Sequence, residues 1–226
     1  GSRAFGGVQR IELGESSLLF QDIRPEPVIT LGPENRDRVQ QDSIGLAYSL
    51  ARPGAFSVDA ALSASRYRKN VDFAAIARED VAARANPLTG SLTASLNLTP
   101  ALVLYGGHVR GFEDALVAPD VAVNRGDAPP AIRTRQSDFG LRYAFAGGLR
   151  LVAGVFTIAK PYFNLDPALE FRQLGTTTNR GIELSLAGSI APGLNVVAGG
   201  VLVDAGIAGA AVDSGLIGPR PVGSSR

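Results

Sequence analysis

Polar and apolar positions alternate with period two along several stretches of this chain, the mark of β-strands whose two faces meet different surroundings. The cleanest runs from Leu88 to Leu98. Leu88, Leu92, Ala94, Leu96 and Leu98 share one face, and Thr89, Ser91, Thr93, Ser95 and Asn97 share the other. Ile44, Leu46, Tyr48 and Leu50 oppose Ser43, Gly45, Ala47 and Ser49 in the same way. Phe56 to Ser65, Asp138 to Phe145 and Ile182 to Ala187 repeat the pattern. Three stretches are weaker. Within 101–110, Val103, Tyr105 and Val109 make the apolar side, with His108 and Arg110 opposite. Residues 149–160 and 194–203 are apolar on both sides, and a first strand is expected within 6–15. A run of about ten residues is the length that crosses a bilayer when tilted.

The connections separate a membrane barrel from a soluble one. Arg52-Pro53-Gly54, Thr99-Pro100, Ala146-Gly147-Gly148 and Ser189 to Gly193 are short turns. Between them fall long connections at roughly 66–87, 111–134, 161–176 and 205–223, with another near 16–40. Short and long alternate, so the short turns collect at one end of the sheet and the long ones at the other. Outer-membrane barrels have this asymmetry, whereas connections in soluble domains are mostly short. A soluble antiparallel barrel would alternate equally well, with its apolar face inward. The expected fold is all-β: an antiparallel transmembrane β-barrel, partial, with about nine or ten strands of a larger up-and-down barrel. The apolar face points to lipid and the Ser, Thr, Asn and Gly face to a wet or plugged lumen.

Composition narrows the picture further. There is no Cys, which excludes a disulfide framework and thiolate metal sites. Lys and Arg number 22 against 21 Asp and Glu, which gives no basic stripe for nucleic acid. Val196 to Val212 is the nearest approach to a membrane helix, but Asp204 and four glycines interrupt it. The chain also has no Met and opens on Gly1-Ser2-Arg3, so a fragment without either natural end is expected. An open sheet would leave unpaired N–H and C=O groups at both edges in lipid, so the piece alone is expected to aggregate or to need the missing strands.

Three phrases carry a family resemblance. Leu104-Tyr105-Gly106-Gly107-His108-Val109-Arg110-Gly111-Phe112-Glu113 resembles a strand-to-loop phrase of the TonB-dependent receptors. Lys160-Pro161-Tyr162-Phe163-Asn164-Leu165-Asp166 resembles a strand exit in their siderophore-receptor branch. Asn179-Arg180-Gly181-Ile182-Glu183-Leu184-Ser185-Leu186 resembles the recurrent Arg-Gly-x-Glu opening of another strand. The resemblance is best over 88–223. It implies a barrel of about 22 strands with a plugged lumen, in the bacterial cell outer membrane. Residues 1–226 would be one partial barrel domain, with the plug domain and the C-terminal strands absent. The implied function is TonB-energised transport of ferric siderophores. A passive porin-like channel or another substrate-binding barrel is the alternative. Related barrels carry haem, cobalamin and glycans, so the cargo stays open. The implied partners are the ferric siderophore, the TonB complex through a missing N-terminal segment, and outer-membrane lipid and lipopolysaccharide.

Candidate chemistry is sparse. His108 is the single His and has no Cys partner, so neither a metal site nor a Ser-His-acid triad is expected, and no cofactor. The chain does not read as an enzyme. Aromatic rings and guanidinium groups suit anionic, aromatic ferric siderophores. Tyr162, Arg172, Tyr67 and Arg110 are therefore the ligand-binding candidates, set against the simpler roles of interfacial girdle and lipopolysaccharide contact. Asp138, Arg142 and Glu183 are the candidates for lumen residues that face the plug.

Overall fold

Nine strands follow one another in a computed structural model that describes residues 36–73, 81–114 and 116–222. They are β1 (Arg36–Arg52), β2 (Phe56–Asp72), β3 (Val81–Ala85), β4 (Leu88–Asn97), β5 (Leu102–Glu113), β6 (Ile132–Ala144), β7 (Arg150–Leu165), β8 (Phe171–Ala191) and β9 (Leu194–Ala208). The strand expected within 6–15 and most of the connection at 16–40 lie outside the described residues. One four-residue helix, α1 (Ala210–Asp213), follows β9.

All strands belong to one antiparallel sheet in the order β1-β2-β4-β5-β6-β7-β8-β9, with β3 paired to the far end of β2. The sheet is open, and β1 and β9 are its edges. β3 and β4 are one path interrupted at Asn86-Pro87. Pro87 has no N–H to donate, but its carbonyl accepts from the Ser65 amide at 3.1 Å, so the ladder continues past the break.

The ladders run well beyond the alternating stretches. β2 extends to Asp72 and β8 opens at Phe171, eleven residues before Ile182. The expected long connection at 161–176 is therefore corrected to a hairpin, in which only 166–170 lies outside strands. The backbone keeps pairing after the side chains stop alternating, because hydrogen bonding needs no apolar face. The short turns remain at one end, and Gly54 supplies the positive φ of 74° that the Arg52–Phe56 turn requires.

Register decides the faces. Leu50, Val58 and Ala94 stand in one row, and Leu46 faces Leu62. Ala94 faces Gly106, Gly106 faces Phe139, and Phe139 faces Val155. Val155 faces Ile182, which faces Leu202. This apolar face is bare: Ile44 is 79% and Leu46 78% exposed. One expectation is corrected here. Leu92 faces His108, and Leu96 faces Leu104. His108 and Arg110 therefore share the outward face, and Val103, Tyr105 and Val109 look inward. His108 Nδ1 lies 2.8 Å from Ser137 Oγ, which keeps its ring partnered on that face. The row His108, Ser137, Thr157, Arg180 and Asp204 marks where the outward face turns polar. At the short-turn end Tyr143 and Phe145 make an edge-to-face pair at 4.7 Å, placed as an aromatic girdle is. No helix among the described residues is long and apolar enough to cross a membrane.

Adjacent residues of β8 offer a direct test in the full-length receptor. Leu184→Lys puts a charge on the bare face and should cost about 2–4 kcal/mol near the bilayer midplane. Ser185→Lys looks inward and should cost about 1 kcal/mol or less. Denaturant titration in lipid vesicles measures both, and equal costs would overturn the assignment of faces.

Candidate functional site

The inward face carries a hydrogen-bonded polar row. Ser57, Ser95, Tyr105, Gly140, Gly154 and Glu183 are successive cross-strand partners on six strands. Ser57 and Ser95 join hydroxyls at 2.7 Å. Tyr105 lies flat across the two glycines. A Cβ at Gly140 would come within 2.6 Å of its ring and hydroxyl, and one at Gly154 within 3.0 Å of the hydroxyl. The absent side chains open the track along which Tyr105 reaches Glu183, to which its hydroxyl donates at 3.4 Å. Arg142 stands over the Tyr105 ring at 4.6 Å, a cation–π contact. Asp138 fills the space left by Gly107, where a Cβ would meet its carboxylate at 3.0 Å. The three inward candidates Asp138, Arg142 and Glu183 thus lie around one tyrosine. Tyr105 itself was missed, because β5 alone does not tell which way it looks. The signal that points to it is a glycine at the facing position of each of the next two strands.

Tyr162 and Arg172 come together at the top of the β7–β8 hairpin. The ladder pairs Tyr162 with Gly175 but Phe163 with Gln173, leaving Leu174 as a β-bulge. A bulge shifts parity by one. Without it Arg172 would look outward. With it Arg172 faces Asn164, on the same side as Tyr162. Asn164 Nδ2 donates to the Tyr162 hydroxyl at 2.7 Å. Arg172 Nε donates to Asp166 Oδ2 at 2.8 Å, and Asp166 Oδ1 accepts from the Ala168 and Glu170 amides at 2.8 and 3.0 Å. The hydrogen bonds from Arg172, then from the Glu170 and Ala168 amides, hold the Asp166 carboxyl below the usual carboxylate range. The opposite side of the hairpin is covered by the β5–β6 connection: Phe171 packs with Ala118 and Ala122, against Phe163 and Leu165. Asn124 locks this contact by donating to the Phe171 carbonyl at 2.9 Å and accepting from its amide at 2.8 Å.

The remaining two candidates sit elsewhere. Tyr67 is 3% exposed. Its hydroxyl donates to Asp114, and its ring meets Phe112 edge-on at 5.9 Å. Lys69, 2% exposed, bridges Asp114 at 2.8 Å and Asp37 at 3.0 Å. Burial, then the bond to Asp114, push the Tyr67 phenol up, so it stays a donor. Burial opposes the Lys69 charge, but the two carboxylates outweigh it and its pKa is raised. This cluster ties β1, β2 and the end of β5 together above the apolar band, and Tyr67 is turned into it. Arg110 looks outward from β5 and does not join the inward groups. Among the described residues no three His, Cys, Asp or Glu side chains converge on a metal position.

An antiparallel wall with one bare apolar face and one hydrogen-bonded polar face is the wall of a transmembrane β-barrel. The profile of the family described as TonB dependent receptor-like, beta-barrel, matches residues 8–221, and the chain belongs to that family. Its members are transport receptors of the Gram-negative outer membrane rather than enzymes. Solved structures of siderophore receptors share the fold. The ferric preacinetobactin receptor BauA of Acinetobacter baumannii aligns with a TM-score of 0.63 and 24% identity, over 82% of this chain and 28% of its own. The ferric-catecholate import receptor Fiu of E. coli K12 aligns at 0.61 and 17%, over 76% and 29%. The ferric yersiniabactin uptake receptor FyuA of Yersinia pestis aligns at 0.63 and 15%, over 77% and 28%. The chain thus spans less than a third of the length of each of these receptors. No curated protein matches it.

Two variants of the full-length receptor test the groups above the apolar band. Lys69→Met leaves Asp37 and Asp114 facing each other without their cation. Because the carboxylates are partly exposed, a loss of about 1–3 kcal/mol in denaturant titration is expected. The Asp166 carboxyl is depressed in the folded hairpin, so its contribution is complete above the ordinary carboxylate range. It is lost as pH falls through the depressed value. Protection of the Ala168 and Glu170 amides against hydrogen exchange should drop over that acidic range, and Asp166→Asn should flatten the dependence. An unchanged pH profile in Asp166→Asn would remove Asp166 from the hairpin's stability.

Proposed function

We propose that this chain forms part of the wall of an outer-membrane receptor that imports ferric siderophores with energy from TonB. The observation that carries the reading is the division of one open sheet into a bare apolar face and an inward polar row. That division suits a barrel with lipid outside and a polar occupant inside. Membership of the TonB-dependent receptor family and the fold shared with siderophore receptors support it. In this reading a plug domain and further strands complete the barrel. The Tyr105, Asp138, Arg142 and Glu183 group meets the plug. These side chains offer donors, acceptors and both charges on a wall that the glycines keep flat, which suits a removable protein surface. Tyr162 and Arg172, brought to one side by the bulge at Leu174, meet the incoming ferric siderophore with a ring and a guanidinium.

Growth on a ferric siderophore as sole iron source, in strains with and without TonB, tests the reading. Uptake that needs both the full-length receptor and TonB is the expected result. Uptake that persists without TonB favours a passive channel and sinks the energised one. A Tyr162→Ala, Arg172→Ala double variant should bind the ferric siderophore about tenfold more weakly, roughly 1.4 kcal/mol. Equilibrium binding to the purified receptor measures it.

A further inference from the structure

Charges near the top of the wall are sorted by face. Arg66, Arg68, Arg84, Arg110 and Arg135 share the outward side with Leu62, Leu92 and Phe139. The inward side is richer in carboxylates. Beside Tyr162 stand Lys160, two residues back on the same face of β7, and Arg172, brought over by the bulge. Both cations are already answered. Lys160 Nζ lies 3.0 Å from Glu113, and Arg172 Nε lies 2.8 Å from Asp166 and 3.6 Å from Glu170. Three carboxylates thus meet two cations. In the neighbouring cluster Lys69 is buried, while each of its two acids, Asp37 and Asp114, is 45% exposed. The charge that this cluster presents to its surroundings is therefore negative.

Arg172 is not easily diverted to an incoming anion. Asp166 is buried, and its other oxygen is held by the Ala168 and Glu170 amides. Taking the guanidinium away would leave that carboxylate buried without its cation, which is costly. Arg172 itself is half-exposed, so the rest of its guanidinium still offers N–H donors.

We propose that the Tyr162 and Arg172 site takes a ferric chelate of neutral or positive net charge, the class in which three hydroxamates hold the iron. Three hydroxamates cancel the charge of the ferric ion, whereas three catecholates leave the chelate strongly anionic. A guanidinium alone would suit the anionic class, but the acids committed to it reverse the sign of the site. Lys160 and Tyr162 lie about 7 Å apart along β7, inside the Debye length of about 8 Å at physiological salt. A chelate held at Tyr162 therefore feels the Glu113–Lys160 pair as well as the Arg172 group. A neutral chelate offers Arg172 oxygens to donate to without competing for Asp166. A pendant ammonium on the chelate gains from the Tyr162 ring and from the exposed Glu170 carboxylate. The proposal rests on the transport reading above and narrows its cargo.

The test uses the full-length receptor purified in detergent, with equilibrium binding read by titration calorimetry. The probes are one linear ferric trihydroxamate in three forms, its terminal amine free, acetylated or succinylated, and a ferric tris-catecholate. The three forms share one iron centre and carry positive, zero and negative charge. The free-amine and acetylated forms should bind. The succinylated form should bind about fivefold more weakly than the acetylated one, and the tris-catecholate more weakly still. The difference should shrink as salt rises. A Glu113→Gln, Glu170→Gln double variant should bring the succinylated form to within about twofold of the acetylated one. Glu170→Gln alone, at the exposed tip of the hairpin, should move it part of the way. Retained heat-resistant migration in gels checks that the variant barrels are intact. Equal or tighter binding of the succinylated form, a preference for the tris-catecholate, or an unchanged ratio in both variants would each overturn the proposal. TonB-dependent growth on the tris-catecholate would in that case leave the transport reading standing. Binding and uptake of no ferric chelate at all would remove both.

Discussion

Continuous pairing of the backbone, strand after strand from β1 to β9, is the constraint on which the rest of this protein depends. Inside a bilayer an unpaired N–H or C=O has no water to turn to and costs several kcal/mol. The ladder must therefore continue through Pro87, through the glycines and through the long hairpins, whatever side chains stand there. Side chains follow as a consequence. Their period is two, so one register choice fixes the direction of every residue in a strand. A slip by one would carry Thr93 and Ser95 into hydrocarbon and Leu92 and Leu96 into the lumen. The bare leucines and the polar row are thus two products of a single alignment.

Within that alignment the chain uses omissions as much as side chains. Gly140 and Gly154 do nothing by themselves, yet their bare backbone is what lets Tyr105 span two strands to Glu183. Aromatic cover of glycine also restores packing that glycine removes from a strand. At the top of the sheet one unpaired residue, Leu174, has a comparable effect. It reverses the parity of β8 above it, so that Arg172 looks the same way as Tyr162. Both devices position chemistry without adding a functional group.

Much of this was legible in the chain itself, and the failures have physical causes. Leu88 to Leu98 and Ile44 to Leu50 show their faces outright, because leucine alternates with serine and threonine. In β5 the inward side holds Val103, Tyr105 and Val109, while the outward side holds Leu102 and Leu104 before Gly106 and His108. Both sides are apolar near the turn, so only the partner strand decides between them. The stretch from Pro161 to Thr176 reads as a loop because Pro161, Pro167 and Gly175 punctuate it. It forms a hairpin because Asp166 caps the turn with three hydrogen bonds. The seat of Lys69 depends on Asp114, 45 residues away, and no local pattern announces a contact at that distance.

Every ladder but one joins strands adjacent in the chain, and the exception, β2 with β4, is bridged by β3, which pairs with β2 itself. Such topology carries a kinetic consequence. Each hairpin closes only its own connection, so the entropy of loop closure is met in small, separate steps and not in one long-range step. A wall of this kind can lengthen one strand at a time, each new strand pairing with its neighbour in the chain. At every stage it presents a single advancing edge as the template for the next strand.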